Sequence, residues 1–412
     1  MDHQMTIIGI GRTGTDGLSS QTIEKIRQAD VLIGSDRLLK LFPDFGGERI
    51  PLNHGLTDTI QGIGPRIGKE NIVMLSSGDP DFFGLTGTVK TLFPEAALEI
   101  IPAVSYMQEA FAKAGLTWED AALISVHQNL NAAFWGALRR FRKIGLFTGP
   151  DTLPQVIAGQ LNLNADPFIA DDYRVWIFQN TGMENELTYT GTLESCISQK
   201  FDGLCTMILM HSGNWQPRPE GYVRADRLYD HRNGLITKAD VRALIYERMP
   251  IREDSIIWDI GAGSGAVSIE MAERAWKGSV YAVERDDECL KFIHDNARKF
   301  NTKNLQIVPG CAPEVLADLP DPDVVFVGGS GGQLIPILDF LSKKSEKNPS
   351  LVMTFTIFEN CAEAMKWFKM KGFLFDLCQV DISQAAPILD GHRFVPQNPV
   401  FILKAELGYE RI

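Results

Sequence analysis

The order of apolar and polar positions predicts an α/β protein in both halves of the chain. Short apolar runs, typical of buried strands, alternate with longer segments whose apolar residues recur at helical spacing. In the first half the predicted strands are 6–11, 29–34, 72–76, 97–101, 121–126, 143–147, 173–178 and 206–211. In the second half they are 256–260, 279–284, 304–309, 323–328, 350–357, 373–382 and 398–405. Strands that alternate with helices are typical of sheets covered by helices.

The seven strands of the second half predict one sheet with an antiparallel edge. A helix is predicted at 359–371, between the fifth and sixth strands. The short connection between the last two strands favours an antiparallel pair at the edge of the sheet, because parallel neighbours need a long crossover.

A segment without apolar periodicity divides the chain near its middle. Residues 213–234 contain two prolines, three glycines and many charges, a composition that predicts a linker or a covering loop. A chain of 412 residues is also too long for one ordinary core. We therefore predict one domain over 1–212 and a second over 235–412.

The composition is that of a globular protein without a basic face. Hydrophobic residues make up 44% of the chain and charged residues 22%, and the formal net charge is −12. Such an acidic chain is poorly suited to a nucleic-acid backbone. The first residues enter a strand at once instead of forming a signal or transit peptide, and no apolar run is long enough to span a bilayer. We expect a cytoplasmic homo-oligomer with no nucleic-acid partner and no membrane partner.

The spacing of cysteines and histidines predicts no metal site. The six cysteines form no C-x-x-C pair, and the seven histidines show no H-E-x-x-H or similar ligand spacing. We expect reduced, partly buried thiols and no bound metal.

The sequence IIWDIGAGSGAVSIE at 256–270 predicts a site for a cofactor that contains a nucleoside. A buried strand runs into a loop with Gly261, Gly263 and Gly265, and a helix is predicted to follow. Glycines at these positions allow a sharp turn against a ligand. Glu284 ends the next apolar run, where a carboxylate is placed to accept both hydroxyls of a ribose.

Two cofactors fit this loop. Gly261, Gly263 and Ala266 satisfy the dinucleotide pattern G-x-G-x-x-G/A, so NAD stays open on the glycines alone. Asp259 favours S-adenosylmethionine (SAM), because a carboxylate repels a pyrophosphate but binds the ammonium of an amino acid. The pattern D-x-G-x-G-x-G with a later acidic residue resembles the class I SAM-dependent methyltransferases, for which a seven-stranded sheet is typical.

The first half resembles the tetrapyrrole (corrin and porphyrin) methyltransferases, called class III. The segments that carry the resemblance are GIG at 9–11, SSGDPDFFG at 76–84, IPAVSY at 101–106 and GLTWEDA at 115–121. The resemblance implies two α/β subdomains that enclose SAM in a cleft. It also implies cofactor contacts from Gly9, Gly11, Gly78, Asp79 and Ser105.

The second half resembles the decarboxylating precorrin methyltransferases. The segments that carry this resemblance are GLITKADVR at 234–242, WDIGAGSG at 258–265, ERD at 284–286, APE at 312–314, FVGGSGG at 326–332 and NPV at 398–400. It implies a Rossmann-like class I domain with cofactor contacts from Thr237, Gly261, Ala262, Gly263, Ser264, Gly265, Glu284 and Ala312. Two segments depart from the family pattern: 353–358 is less polar than expected, and 381–386 lacks the basic residue often found after the serine.

Together the two resemblances imply a bifunctional enzyme of cobalamin biosynthesis with one SAM in each domain and a precorrin tetrapyrrole, precorrin-6/7 or its cobalt-precorrin counterpart, as substrate. The first domain would methylate carbon-5, and the second would methylate carbon-15 and remove the ring-C acetate carboxyl. Methyl transfer needs the nucleophilic carbon of the substrate to be aligned with the methyl group and water to be excluded, and it needs no nucleophile or metal from the protein, so no catalytic residue is assigned. An NAD-dependent oxidoreductase and a non-catalytic SAM-binding protein are the alternatives.

Four features have two interpretations each. Residues 328–332 form either a flexible loop or a backbone cradle for substrate carboxylates. Thr237 is a helix N-cap, a SAM contact or both. Arg242 is a salt-bridge partner or a carboxylate clamp, and Asp79 is a turn former or a cofactor contact.

Overall fold

A computed structural model of the chain describes residues 5–52, 55–163, 172–213, 222–232, 234–344 and 348–410, with side chains described up to Leu407. The chain divides into two compact units. Of the described residues, the first unit contains those within 5–129, 141–163 and 172–213, and the second contains those within 130–140 and 222–410. Both units are α/β, as predicted.

The first sheet of the first unit has five parallel strands in the order β3-β2-β4-β1-β5. These are β1 (Met5–Ile10), β2 (Val31–Gly34), β3 (Glu48–Pro51), β4 (Ile72–Ser77) and β5 (Leu98–Ile101). Its helices are α1 (Ser20–Arg27), α2 (Asp36–Leu39), α3 (Leu56–Gly62) and α4 (Thr86–Leu92), whereas α5 (Tyr106–Ala114) packs on the second sheet of this unit. Every residue of β1 is buried, with Ile7 in one core and Ile8 in another. A central parallel strand is covered on both faces, so its sequence is continuously apolar.

The second sheet of the first unit is mixed, with five strands in the order β6-β7-β10-β8-β9. These are β6 (Ala121–Ser125), β7 (Lys143–Phe147), β8 (Tyr173–Gln179), β9 (Leu187–Thr192) and β10 (Cys205–His211). Helix α6 (Ala132–Leu138) belongs to the second unit, whereas α7 (Pro154–Asn162) and α8 (Leu193–Ile197) belong to the first. Only β6 and β7 pair in parallel.

The second unit contains the predicted seven-stranded sheet, in the order β13-β12-β11-β14-β15-β19-β16. Its strands are β11 (Ile256–Ile260), β12 (Ser279–Glu284), β13 (Leu305–Pro309), β14 (Val324–Val327), β15 (Ser350–Phe355), β16 (Phe373–Val380) and β19 (Val400–Glu410). Its helices are α9 (Ala239–Arg248), α10 (Ala266–Arg274), α11 (Asp287–Lys299), α12 (Leu334–Lys344) and α13 (Phe358–Lys371). Five strands run parallel, and β19 is antiparallel to both β15 and β16, so the predicted antiparallel edge is confirmed.

The predicted short connection between the last two strands of this sheet is wrong. A hairpin of β17 (Ser383–Ile388) and β18 (Gly391–Pro396) lies between them. Its two strands are almost entirely exposed, so they lack the buried alternation from which a strand is recognised. The edge strands β3 and β9 were also missed, and both are largely exposed.

Part of the segment predicted as a linker or covering loop packs on helix α10 through buried ion pairs. Arg224 donates to both carboxylate oxygens of Glu273, at 2.7 and 2.6 Å. Both side chains are almost fully buried. Tyr229 donates its hydroxyl to Glu270 at 2.7 Å. Residues 222–232 are therefore a covering segment of the second unit.

Short 3-10 turns complete the described structure, at Gly14–Gly17, Gly64–Arg66, Asp226–Leu228 and Glu314–Leu316. Within the described ranges, no helix has the length and apolar character needed to cross a membrane.

Candidate functional site

The seven-stranded sheet opens a crevice where its strand order reverses. Strands β12 and β13 follow on one side of β11, and β14 and β15 follow on the other. The loops after β11 and β14 therefore leave the carboxyl edge in different directions, which is where open α/β sheets bind ligands. Two cavities lie there, one of about 680 Å³ and one of about 220 Å³, and Gly261 lines both.

The glycine loop after β11 packs directly on the loop after β14. A Cβ at Gly261 would lie 2.3 Å from the carbonyl oxygen of Gly329, so the crowding partner predicted to be a ligand is protein backbone. Gly263 has a φ of +56°, but a Cβ there would meet nothing within 4 Å. Glycine is thus required at 261 by close approach as well as by a φ of +72°, and at 263 by backbone conformation alone.

Glu284 ends β12 and lines the smaller cavity, as its predicted ribose-binding role requires. Its Oε2 accepts a hydrogen bond from the backbone N–H of Gly263 at 2.9 Å. Its Oε1 accepts from the N–H groups of Arg285 and Asp286, at 2.8 and 3.0 Å. Because a carboxylate accepts about four hydrogen bonds, these contacts fix the group and leave capacity for a ligand hydroxyl.

Asp259 contributes a buried carboxylate to the larger cavity. Its Oδ2 accepts a hydrogen bond from the hydroxyl of Ser268, whereas Oδ1 is buried without a hydrogen-bond partner among the described residues. Burial raises the pKa of this carboxyl to about 7, and the nearby charge of Glu284 adds to the rise. A buried carboxylate oxygen without a donor is suited to a cationic ligand group.

Thr237 lines the larger cavity but does not cap a helix. Helix α9 begins at Ala239 with Lys238 at the N-cap, so the N-cap interpretation of Thr237 is wrong by one residue. The carbonyl oxygen of Thr237 accepts a hydrogen bond from Arg242. Contact between Thr237 and a cofactor remains a prediction.

Arg242 is a salt-bridge partner and not a carboxylate clamp. Its side chain is fully buried and pairs with Asp226 at 2.8 Å and with Glu270 at 3.4 Å. Because these two carboxylates and the carbonyl of Thr237 occupy the guanidinium, it supports the wall of the cavity from behind.

The other predicted residues of this site fall into three positions. Ala262 and Ser264 line the larger cavity, and Ala312 lines the smaller. Gly265 is the N-cap of helix α10 and packs against Ile293, since a Cβ placed at Gly265 would lie 3.1 Å from that side chain. Gly265 therefore shapes the loop and is absent from the lining of both cavities among the described residues.

Sequence reasoning missed several polar residues of the larger cavity: Lys238, Thr354, Thr356, Gln397 and Asn398. Four of them lie within segments that carry the family resemblance or its departures, but no local pattern gave them a role. The loop at 328–332 supplies Gly329, Ser330 and Gly331 to the smaller cavity.

In the first unit, three loops converge at the carboxyl edge of neighbouring strands β4, β1 and β5. A Cβ at Gly9 would lie 2.4 Å from the carbonyl oxygen of Gly78 and 2.7 Å from the nitrogen of Ala103. A Cβ at Gly11 would approach Ala103 at 3.7 Å, and one at Gly78 would lie 3.3 Å from Ser105. The structure therefore brings Gly9, Gly11, Gly78 and Ser105 together.

Asp79 and Ser105 both have local structural roles at this edge. Asp79 accepts a hydrogen bond from the N–H of Asp81 at 2.9 Å, which is a turn-forming contact. Ser105 caps helix α5 in a reciprocal capping box with Gln108. Their predicted contacts with a cofactor remain predictions.

Among the residues that the structure describes, no group of three or more His, Cys, Asp and Glu side chains is placed to hold a metal ion.

Comparison with known proteins identifies the family of both halves. A family model for tetrapyrrole (corrin/porphyrin) methylases matches residues 4–196, and a model for a precorrin methyltransferase domain matches residues 227–406. A precorrin-6Y C(5,15)-methyltransferase [decarboxylating] from Sinorhizobium sp is 30% identical over 332 residues, which cover 80% of this chain and 79% of that protein. This chain belongs to the precorrin-6Y C(5,15)-methyltransferase (decarboxylating) family.

Shorter proteins related to the family match part of the chain. A cobalt-precorrin-6B C(15)-methyltransferase (decarboxylating) from Salmonella typhimurium is 36% identical over 175 residues, covering 42% of this chain and 90% of that protein. The solved structure of a precorrin-6Y C5,15-methyltransferase from Geobacter metallireducens is 34% identical with a TM-score of 0.44, covering 46% of this chain and 100% of that chain.

Proposed function

We propose that this chain methylates a precorrin at carbons 5 and 15 and decarboxylates its ring-C acetate, with SAM as methyl donor. The observation that carries the proposal is the crevice of the second unit. There, Asp259 and Glu284 line two cavities that share Gly261, in a chain that belongs to a family of decarboxylating methyltransferases.

The residues of this crevice fit SAM. Glu284 would accept the ribose hydroxyls, Ala312 would line the nucleoside site, and Asp259 would bind the amino-acid ammonium through its unpartnered Oδ1. When bound, SAM supplies an electrophilic methyl group. The protein therefore has to hold its substrate in line, at roughly 3–3.5 Å, and exclude water.

The proposal assigns one cofactor to each domain. Residues 1–212 would bind the first SAM beside Gly9, Gly11, Gly78, Asp79 and Ser105 and methylate carbon-5. After the segment 213–234, residues 235–412 would bind the second, methylate carbon-15 and release carbon dioxide. The Salmonella relative matches 42% of this chain, and its name states only the carbon-15 methylation and the decarboxylation. This supports the proposal that the two methylations belong to separate domains. Finer fold assignments, tetrapyrrole methylase for the first domain and class I methyltransferase for the second, belong to the same proposal.

Product mass after turnover of precorrin-6Y tests this division. The unaltered chain should add two methyl groups and release one carbon dioxide. The product of the Gly263→Arg variant should gain one methyl group and keep the carboxylate, because Gly263 lines the larger cavity and the added side chain would fill space proposed for the second cofactor. Carbon dioxide release at the normal rate from this variant would show that decarboxylation does not depend on the second crevice.

Titration calorimetry on the intact chain tests the number of cofactors. Two SAM sites are expected. A single site that survives deletion of residues 1–212 would contradict the assignment of one SAM to each domain.

A further inference from the structure

The larger cavity of the second unit contains a single basic side chain among its described lining residues. That residue is Lys238, and the only acidic lining residue is Asp259. The other polar lining residues are neutral: Thr237, Ser264, Thr354, Thr356, Gln397 and Asn398. A negatively charged ligand group in this cavity therefore has one counter-charge to approach.

The ammonium of Lys238 is positioned but not neutralised. It donates a hydrogen bond to the carbonyl oxygen of Gly234 at 3.0 Å, which uses one of its three hydrogens. Lys238 forms no ion pair within the described ranges. Its remaining hydrogens can therefore donate to an anion that enters the cavity.

Burial separates the two charged residues of the cavity. Asp259 is fully buried at the end of β11, whereas Lys238 is partly exposed and its neighbours Gly234 and Leu235 are exposed. Lys238 therefore lies at the rim. The carboxylate of Asp259, which is proposed to bind the ammonium of the cofactor, therefore lies deeper in this cavity than Lys238.

We propose that Lys238 binds a carboxylate of the tetrapyrrole substrate at the second site, an inference that rests on the proposed function. The segment 381–386, where a basic residue was expected, contains none. The carboxylate is one that the product retains, because an ion pair to the departing carboxylate would stabilise the reactant more than the transition state that leads to neutral carbon dioxide. Lys238 is thus a specificity residue that orients the macrocycle.

The cofactor also has a carboxylate, so the test must separate the two sources. The variants are Lys238→Met, Lys238→Arg and, as a matched control, Lys291→Met, which removes an exposed lysine of helix α11. Binding of SAM and of 5′-methylthioadenosine, which lacks the amino-acid end, is measured by calorimetry. Carbon-15 methylation and carbon dioxide release are measured with precorrin-6Y, and the melting temperature checks folding.

Loss of one charge-assisted contact should raise the KM for precorrin-6Y about 10- to 150-fold in Lys238→Met. In the same variant the rates of methylation and decarboxylation should fall together, and the affinity for SAM should stay within about twofold. The Lys238→Arg variant, which keeps the charge, should have a KM close to that of the unaltered chain. The control Lys291→Met should match the unaltered chain.

Three results would overturn the inference. An unchanged KM in an active Lys238→Met variant would show that the residue does not bind substrate. Weaker binding of SAM with unchanged binding of 5′-methylthioadenosine would assign Lys238 to the cofactor. Loss of carbon dioxide release alone would place it at the departing carboxyl. If the unaltered chain makes no methylated product, the proposed function fails instead.

Discussion

Replacement of Asp259 by Asn should remove a pH-dependent destabilisation of the second unit. The carboxyl is fully buried and one of its oxygens has no described hydrogen-bond partner. Burial is the main reason that its pKa rises from 3.8 to about 7. The folded protein therefore keeps this proton to a higher pH than the unfolded chain does, and the contribution of Asp259 to stability falls as the pH rises from about 4 to 7.

The size of this effect follows from the two pKa values. A gap of about three pH units corresponds to about 4 kcal/mol of destabilisation above pH 7, at about 1.4 kcal/mol for each unit. Between pH 5 and pH 8 the change is roughly 2 to 3 kcal/mol, since part of the loss occurs below pH 5. The variant Asp259→Asn lacks this titration, so its stability relative to the unaltered chain should rise by about that amount over this interval.

Urea unfolding of both proteins at pH 5 and pH 8 measures the difference, with tryptophan emission as the signal. Costs of an amide at this position that do not depend on pH cancel in the comparison. The control is Asp390→Asn, which changes an exposed aspartate in the β17–β18 turn and should show no such pH dependence. The reasoning would be refuted if the free energies of unfolding of Asp259→Asn and the unaltered chain differed by the same amount at both pH values.

Three further predictions concern the loops that meet in each unit. Glu284→Ala should weaken SAM binding at the second site about 10- to 150-fold by calorimetry, through loss of charge-assisted hydrogen bonds, and should leave the first site unchanged. Gly261→Ala should lower the free energy of unfolding by about 3 kcal/mol, because a Cβ 2.3 Å from Gly329 adds overpacking to the cost of positive φ. Gly263→Ala, with open space around its Cβ, should lose only about 1 kcal/mol; similar losses in the two variants would contradict the packing argument. Gly9→Ala should disturb the first unit, where Gly78 lies 2.4 Å from the added Cβ, and mass spectrometry should find carbon-15 methylation retained and carbon-5 methylation reduced.

The sequence predicted the parts of the site that lie within one strand–loop–helix unit. Asp259, Gly261 and Gly263 are consecutive features of one motif, and Glu284 ends the very next strand. Their geometry follows from the pairing of two successive parallel strands, so local pattern was sufficient. The roles assigned to individual glycines were less accurate, because the partner of Gly261 comes from a loop 68 residues further along the chain.

The remaining wall of the larger cavity depends on contacts that are distant in sequence. Lys238 precedes the sheet, Thr354 lies near the end of β15, and Asn398 follows the hairpin before β19. The insertion of β19 between β15 and β16 pairs the start of β19 with the end of β15, which brings Asn398 near Thr354. The hairpin itself gave no signal because almost none of its residues is buried, so no hydrophobic face marked its strands.

The buried ion pairs of Arg224 and Arg242 restrict how short a fragment of the second unit can be. A fragment that begins at residue 235 would remove Arg224, Asp226 and Tyr229, and with them the ion pair to Glu273 and the hydrogen bond to Glu270. Breaking such a pair typically costs about 3–5 kcal/mol. A fragment that begins before Tyr222 keeps the whole network. The piece of protein that keeps these contacts is therefore longer than the piece that contains the cofactor motifs, and we expect a gene split or fusion that retains them to fall upstream of the covering segment.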